Sequence, residues 1–177
     1  MAKTLVVYYS RTGHTRTVAL EIAAHLDADV EEICEPGTER RGVFGYLRSA
    51  REALRGQLPR IVPIRVQPAA YDLVIVGTPV WASHMASPVR SYLHAHGRAI
   101  GRLAAFCTQG GSGGPKVLAE VAQLCGRETL ATLVLNERDV TRERFVPQLE
   151  AFVSSLVKQL SAASAASSGT VWHTAAT

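Results

Sequence analysis

Leu5-Val6-Val7-Tyr8-Tyr9, running into Ser10-Arg11-Thr12-Gly13-His14-Thr15, is the stretch on which the fold turns. An unbroken apolar run with no polar alternation suits a strand buried on both faces, as in a parallel sheet. Leu73-Val74-Ile75-Val76 repeats the pattern, and weaker runs follow at Val30 to Cys34, Leu103 to Cys107 and Leu130 to Leu135. Five strands are therefore expected. Helical periods lie between them. Val18, Ile22 and Leu26 recur every fourth residue after Thr15, and Val89, Tyr92, Leu93 and His96 follow Ser87-Pro88. Ser87 reads there as an N-cap with proline at the first helical position. Val117, Leu118, Val121, Leu124 and Cys125 follow Gly114-Pro115, with Gly126 placed to stop the helix. Phe145, Leu149, Phe152, Leu156 and Leu160 form a last period, with Thr141 as its expected cap. Strands alternating with helices predict an α/β fold, a doubly wound parallel sheet with helices on both faces.

The 177 residues suffice for one domain, placed at 1–160. Residues 36–70 exceed a simple connection and read as a helical insert, with a stripe of Val43, Leu47, Ala50 and Leu54. Between positions 39 and 65 seven arginines (40, 41, 48, 51, 55, 60 and 65) face only Glu39 and Glu52, so the chain's net charge of +4 is concentrated here. A solvated arginine face is the first reading. A docking surface for an acidic partner, a phosphate-bearing ligand or an anionic membrane is the second. Only Phe44 and Tyr46 interleave the arginines, which is no extended aromatic platform, so nucleic acid is not an expected partner. Residues 161–177 open on a Ser/Ala-rich run and read as a low-complexity, disordered tail.

No apolar run approaches a membrane span, and the first strand is too short for a signal-peptide core. Cys34, Cys107 and Cys125 form no CxxC pair or zinc set. A cytoplasmic protein with reduced thiols and no metal is the expectation, with Cys107 and Cys125 as small buried hydrophobes.

Ligands of an open parallel sheet bind beyond the carboxyl ends of its strands. Three segments there are unusual. Ser10-Arg11-Thr12-Gly13-His14-Thr15 offers hydroxyls, a glycine and backbone N–H groups at a helix start, the parts of an anion site with no acidic residue among them. It is equally an ordinary turn with capping hydroxyls. Gly77-Thr78-Pro79-Val80-Trp81-Ala82-Ser83-His84-Met85 holds a tryptophan that either presents a flat face to a planar ring or folds back onto the core. Thr108-Gln109-Gly110-Gly111-Ser112-Gly113-Gly114 lets the backbone approach a ligand, or forms a flexible lid. Coinciding at one sheet edge, the three point to a mononucleotide with a planar heterocycle.

These three segments resemble, in order and in position after their strands, the flavin-mononucleotide loops of the flavodoxin-like flavoproteins. The resemblance covers about residues 3–160. It implies a five-stranded sheet in the order 2-1-3-4-5 and FMN as cofactor. It implies that Ser10, Thr12, Gly13, His14 and Thr15 bind the phosphate, with Arg11 also among the cofactor-binding residues, and that Thr78, Pro79, Val80 and Trp81 line the ring with Trp81 on one face. Thr108, Gln109, Gly110, Gly111 and Gly113 would approach the ring's polar edge.

Two departures shape the functional expectation. Electron-carrier flavodoxins are typically acidic, whereas this chain has a pI near 9.2. Such carriers often sandwich the ring between two aromatics, and here Trp81 stands alone unless Phe44, Tyr46 or a second subunit of a homodimer supplies the other face. An open face suits an oxidoreductase that takes electrons from NAD(P)H and passes them through FMN to a quinone or similar acceptor. The alternative is a one-electron carrier that docks a redox partner protein through the basic insert. His84 is the candidate catalytic proton donor, or a partly exposed polar residue without a role.

Rival chemistries fail on their own requirements. A receiver domain needs an acidic cluster after the first strand. Cys34 to Arg40 matches the Cys-x5-Arg spacing of a phosphatase, but Glu35 and Glu39 would repel phosphate there and the segment follows the wrong strand. No G-x-S-x-G elbow supports a hydrolase.

Overall fold

Strand β1 (Thr4–Tyr8) is buried at every residue, and its alternate side chains separate two cores. Leu5 and Val7 pack into one, and Val6 and Tyr8 into the other. That is the arrangement a continuous apolar strand requires when helices cover both faces of the sheet. The computed structural model of the protein describes residues 2–37, 51 and 53–168.

The elements after β1 are α1 (His14–Leu26), β2 (Asp29–Glu32), β3 (Leu73–Trp81), β4 (His84–Met85) and α2 (Ser87–His96). Then come β5 (Leu103–Gln109), α3 (Gly114–Cys125), β6 (Thr129–Asn136), α4 (Glu137–Thr141) and α5 (Val146–Ser168). The parallel strands run β2-β1-β3-β5-β6. Counted without β4, this is the expected order. The added strand β4 is a two-residue antiparallel partner of β3, which makes the sheet six-stranded. One core holds Val89, Tyr92 and Leu93 of α2 with Val117, Leu118 and Val121 of α3. The other holds Val18 and Ile22 of α1 with Leu149, Phe152 and Leu156 of α5.

Several boundaries differ from expectation. β3 does not stop at Val76 but continues to Trp81, because Thr78 and Pro79 still pair with Cys107 and Thr108 of β5. Val80 and Trp81 then pair with Met85 and His84. The segment expected as a loop is thus mostly strand. Ala86, not Ser87, is the N-cap of α2. Thr141 does not cap the last helix but ends α4, donating its hydroxyl to the Glu137 carbonyl at 2.9 Å. α5 runs eight residues past the expected boundary, so the start of the predicted tail is helical. Alanine is the strongest helix former, which suits that continuation.

In the insert, Leu54 is 62% exposed while Ala53 is 1% exposed, so the expected apolar stripe is out of phase where it is described. Val43, Leu47 and Ala50 lie outside the described residues, as do Phe44, Tyr46 and positions 169–177. Arg51, Arg55, Arg60 and Arg65 are all exposed. Among the described residues no helix is long and apolar enough to cross a membrane.

Cys107 and Cys125 are buried and Cys34 is exposed. Burial pushes the Cys107 thiol up to about 12 and the Cys125 thiol up to about 11. A neutral-pH thiol reagent should therefore modify one cysteine of the native protein and three in denaturant. A second test concerns Gly77, opposite Phe106 in the β3–β5 ladder. A Cβ there would stand 2.6 Å from the Phe106 ring carbon Cε1. Gly77→Ala should cost about 1–3 kcal/mol through overpacking, read as a lower urea midpoint with an unchanged slope.

Candidate functional site

The strand order reverses between β1 and β3, and at the carboxyl ends of β1, β3 and β5 the backbone opens a cavity of about 310 Å³. Its wall combines all three segments singled out above. Arg11 and Thr12 come from the first, Pro79 to Ser83 from the second, and Gln109 to Ser112 from the third. Glu137 at the start of α4 completes it.

The first segment turns into α1 through Gly13, which sits at φ 98° as the N-cap. The Gly13 N–H donates to Ser10 Oγ at 3.1 Å. The first helical bond of α1 runs from the Thr17 N–H to the Gly13 carbonyl at 2.9 Å. The N–H groups of His14, Thr15 and Arg16 precede it. No side chain caps this end, and no acidic residue occupies the first turn. Uncapped donors at the positive end of a helix dipole suit an anion. Ser10, Gly13, His14 and Thr15 are not on the cavity wall. Thr15 is buried, with its hydroxyl 2.8 Å from that of Thr108. His14 is clasped between Thr12 Oγ1 at 2.9 Å and Thr141 Oγ1 at 3.1 Å. The Glu137 carboxylate lies 3.9 Å from its Nδ1.

The second segment is a hairpin. Ala82 (φ 48°) and Ser83 (φ 61°) form its two-residue turn with both residues at positive φ, the geometry in which asparagine and glycine are usual. Trp81 is only 4% exposed, packs edge-on against Tyr9 at 5.5 Å between ring centroids, and still lines the cavity. The two readings open for it are therefore compatible. Thr78 is buried away from the wall. Its hydroxyl donates to the Pro79 carbonyl at 3.0 Å and accepts the Ala86 N–H at 3.1 Å, which ties the hairpin to α2.

The glycine-rich segment is anchored at both ends. Gln109 Oε1 accepts the Gly114 N–H at 2.8 Å, and its Nε2 donates to Asn136 Oδ1 at 3.3 Å. Its side chain thus holds the loop. Gly113 is off the wall at φ 109°, where a Cβ would come within 2.8 Å of Ser83 Cα. That close approach seats the third segment on the hairpin turn. Thr108 is buried in β5.

His84 is also off the cavity wall. Its Nδ1 lies 2.7 Å from Glu120 Oε1, and Lys116 Nζ lies 3.4 Å from its Nε2. Ala82, Ser83, Ser112 and Glu137 are the wall residues that sequence reasoning missed. The first three adjoin residues it named. Glu137 carried a legible signal, because Asn136 before Glu137 and Asp139 is an N-cap followed by an acidic first turn. Among the described residues no group of three His, Cys, Asp or Glu side chains could hold a metal ion.

The family model described as Flavodoxin matches residues 3–151. Two curated proteins named NAD(P)H dehydrogenase (quinone) are similar in sequence. The one from Chromohalobacter salexigens is 32% identical over 116 residues, covering 58% of this chain and 54% of its own length. The one from Gluconacetobacter diazotrophicus is 33% identical over 119 residues, covering 61% and 56%. The chain therefore spans about half the length of these relatives. The crystal structure of a flavoprotein in complex with FMN from Lactobacillus acidophilus NCFM superposes with a TM-score of 0.66 at 22% identity. That match covers 80% of this chain and 98% of the other, and it shows a shared fold.

The hairpin turn provides a test. Alanine at positive φ is disfavoured by roughly 1–2 kcal/mol, whereas glycine is not, at the cost of some chain entropy. Ala82→Gly should therefore stabilise the protein by about 1 kcal/mol, seen as a melting temperature about 2–4 °C higher.

Proposed function

The chain belongs to the flavodoxin family, and from that premise we propose that it binds flavin mononucleotide in the cavity at the carboxyl edge of the sheet and passes electrons from NAD(P)H to a quinone or similar small acceptor. The observation that carries this reading is the convergence of the three segments on one cavity with a tryptophan in its wall. Both curated relatives bear a name with that reaction in it.

Each part of the site has a task. Arg11 and Thr12 on the wall hold the phosphate, and the uncapped N–H groups of His14, Thr15 and Arg16, next to them in the chain though off the wall, add the positive end of the α1 dipole. His14 orients Thr12, and Ser10 holds Gly13 in its turn. Trp81 offers an apolar face to the ring, made rigid by Tyr9 behind it. The backbone of Gln109 to Gly111 supplies polar groups for the ring edge, and Gly113 permits the loop to sit close enough to do so. Thr15 and Thr108 brace the first and third segments against each other, and Thr78 braces the hairpin. Bound flavin mononucleotide supplies the hydride and electron chemistry, while the protein supplies position and field.

Trp81 is the sole aromatic residue among the described wall residues. A ring lying against it is left without a second aromatic cover from those residues, which favours access by a hydride donor over a closed one-electron shuttle. The exposed arginines 51, 55, 60 and 65 favour a second reading, in which an acidic redox partner docks on the insert.

Apoprotein mixed with FMN should quench the flavin's fluorescence on binding. Trp81→Ala should weaken the affinity about tenfold to a hundredfold, the loss expected for one stacking partner worth roughly 1–3 kcal/mol. The loaded protein should then consume NADPH or NADH when a soluble quinone is present. Failure to retain FMN sinks the reading altogether. Retention without NAD(P)H consumption sinks the reductase and leaves partner docking, whose affinity would fall steeply with added salt.

A further inference from the structure

Beside the cavity, four side chains from three elements form a chain with alternating hydrogen-bonding roles. Arg90 on α2 donates from Nη2 to Glu120 Oε2 at 3.1 Å. Glu120 on α3 also receives the Met85 backbone N–H at 3.4 Å. Its other oxygen lies 2.7 Å from His84 Nδ1 on β4, and His84 Nε2 lies 3.4 Å from Lys116 Nζ on α3. The ion-paired carboxylate only accepts and the ammonium only donates, so hydrogen counting fixes the imidazole from both sides. Nδ1 carries the hydrogen given to Glu120, and Nε2 accepts from Lys116. His84 then has no ring hydrogen left for a substrate, and donor hydrogens remain on the residue at the end of the chain.

Lys116 is that residue. It is exposed, and its two remaining ammonium hydrogens have no partner among the described residues. Glu120, the negative group within this chain, is already engaged by Arg90, His84 and Met85, so the cluster presents a net positive charge outward. Lys116 lies in the first turn of α3, which contains no acidic residue, so the helix dipole adds to that charge. The turn begins just after Ser112 of the cavity wall, and His84 follows Ser83 of the same wall. His84 is also the ladder partner of Trp81, which puts their side chains on one face of the hairpin.

We propose that Lys116, held by the Arg90–Glu120–His84 chain, is the residue that recognises the phosphate-bearing part of the nicotinamide dinucleotide at the cavity rim. This rests on the reductase reading above and names the contact through which its electron donor is selected. Lysine here acts as a point charge whose position is set by His84, and His84 and Glu120 are positioning residues. A single charge-assisted hydrogen bond to phosphate accounts for an effect of about tenfold in affinity or more.

The test uses the FMN-loaded protein with NADPH and a soluble quinone. Lys116→Gln should raise the KM for NADPH about tenfold, with kcat and the quinone KM changed less than about twofold. Lys116→Arg should restore most of the loss, because the charge returns. Glu120→Ala, which frees the imidazole, should raise the same KM by a smaller factor. A readout that needs no turnover accompanies these. Titration with NADP⁺ should shift the NMR signals of the Lys116 side chain and the His84 ring, and Lys116→Gln should lose the His84 response. An unchanged NADPH KM in Lys116→Gln, or no shift of either residue with NADP⁺, overturns the assignment. Wild-type protein that binds FMN but leaves NAD(P)H unconsumed refutes the reductase reading instead, and the NADP⁺ titration still decides whether Lys116 takes the dinucleotide.

Discussion

The hydrogen bonds that carry β3 beyond its apolar block hold the site together. Through Val76 the strand is an ordinary buried member of the sheet. From Gly77 to Pro79 it remains paired with β5, and from Val80 it folds back on β4. Trp81 and the turn after it are therefore set by strand register, since a slip of one residue would send every side chain to the opposite face. The buried hydroxyl of Thr78 reinforces this by joining the hairpin to the start of α2. A cavity wall built on strand is positioned more closely than one built on loop.

The other two segments are located by that hairpin. Gly113 lets the glycine-rich loop touch Ser83 at a distance no Cβ would allow, and Gln109 fastens the same loop to β6 and α3. Thr15 and Thr108 join the first segment to the third through a buried hydroxyl pair. His14 carries the first segment across to α4, whose Glu137 completes the wall. Polar side chains that look like ligand contacts in the sequence thus divide into two groups. Some face the cavity, and others hold the facing residues still by bonding to one another.

Legibility followed the length of the pattern. β1 was recognisable because five buried residues in a row have few alternative explanations. α3 was recognisable from its apolar period and from Gly126, which closes it in the left-handed conformation at φ 64°. The end of β3 was hidden because Gly77, Thr78 and Pro79 individually favour turns, and only pairing with β5 and β4 outweighs that preference. The insert's stripe failed at Leu54 for a related reason. The helical period there does not state which phase of the helix meets the sheet.

The order of apolar and helical periods, read with the three unusual segments, determined the α/β class, the carboxyl edge as the place where those segments meet, and the family. Those features are local, so each is written in a few consecutive residues. Tertiary structure alone decided that Trp81 is both core and wall, that Thr78 and Thr108 brace the site from outside the wall, that Gln109 lines the wall while anchoring its loop, and that Glu137 joins it. It alone joined His84 through Glu120 to Arg90 and brought Lys116 against the imidazole. Such pairings span 30 or more positions, and a side chain's role there depends on which donors and acceptors the fold brings within about 3 Å of it.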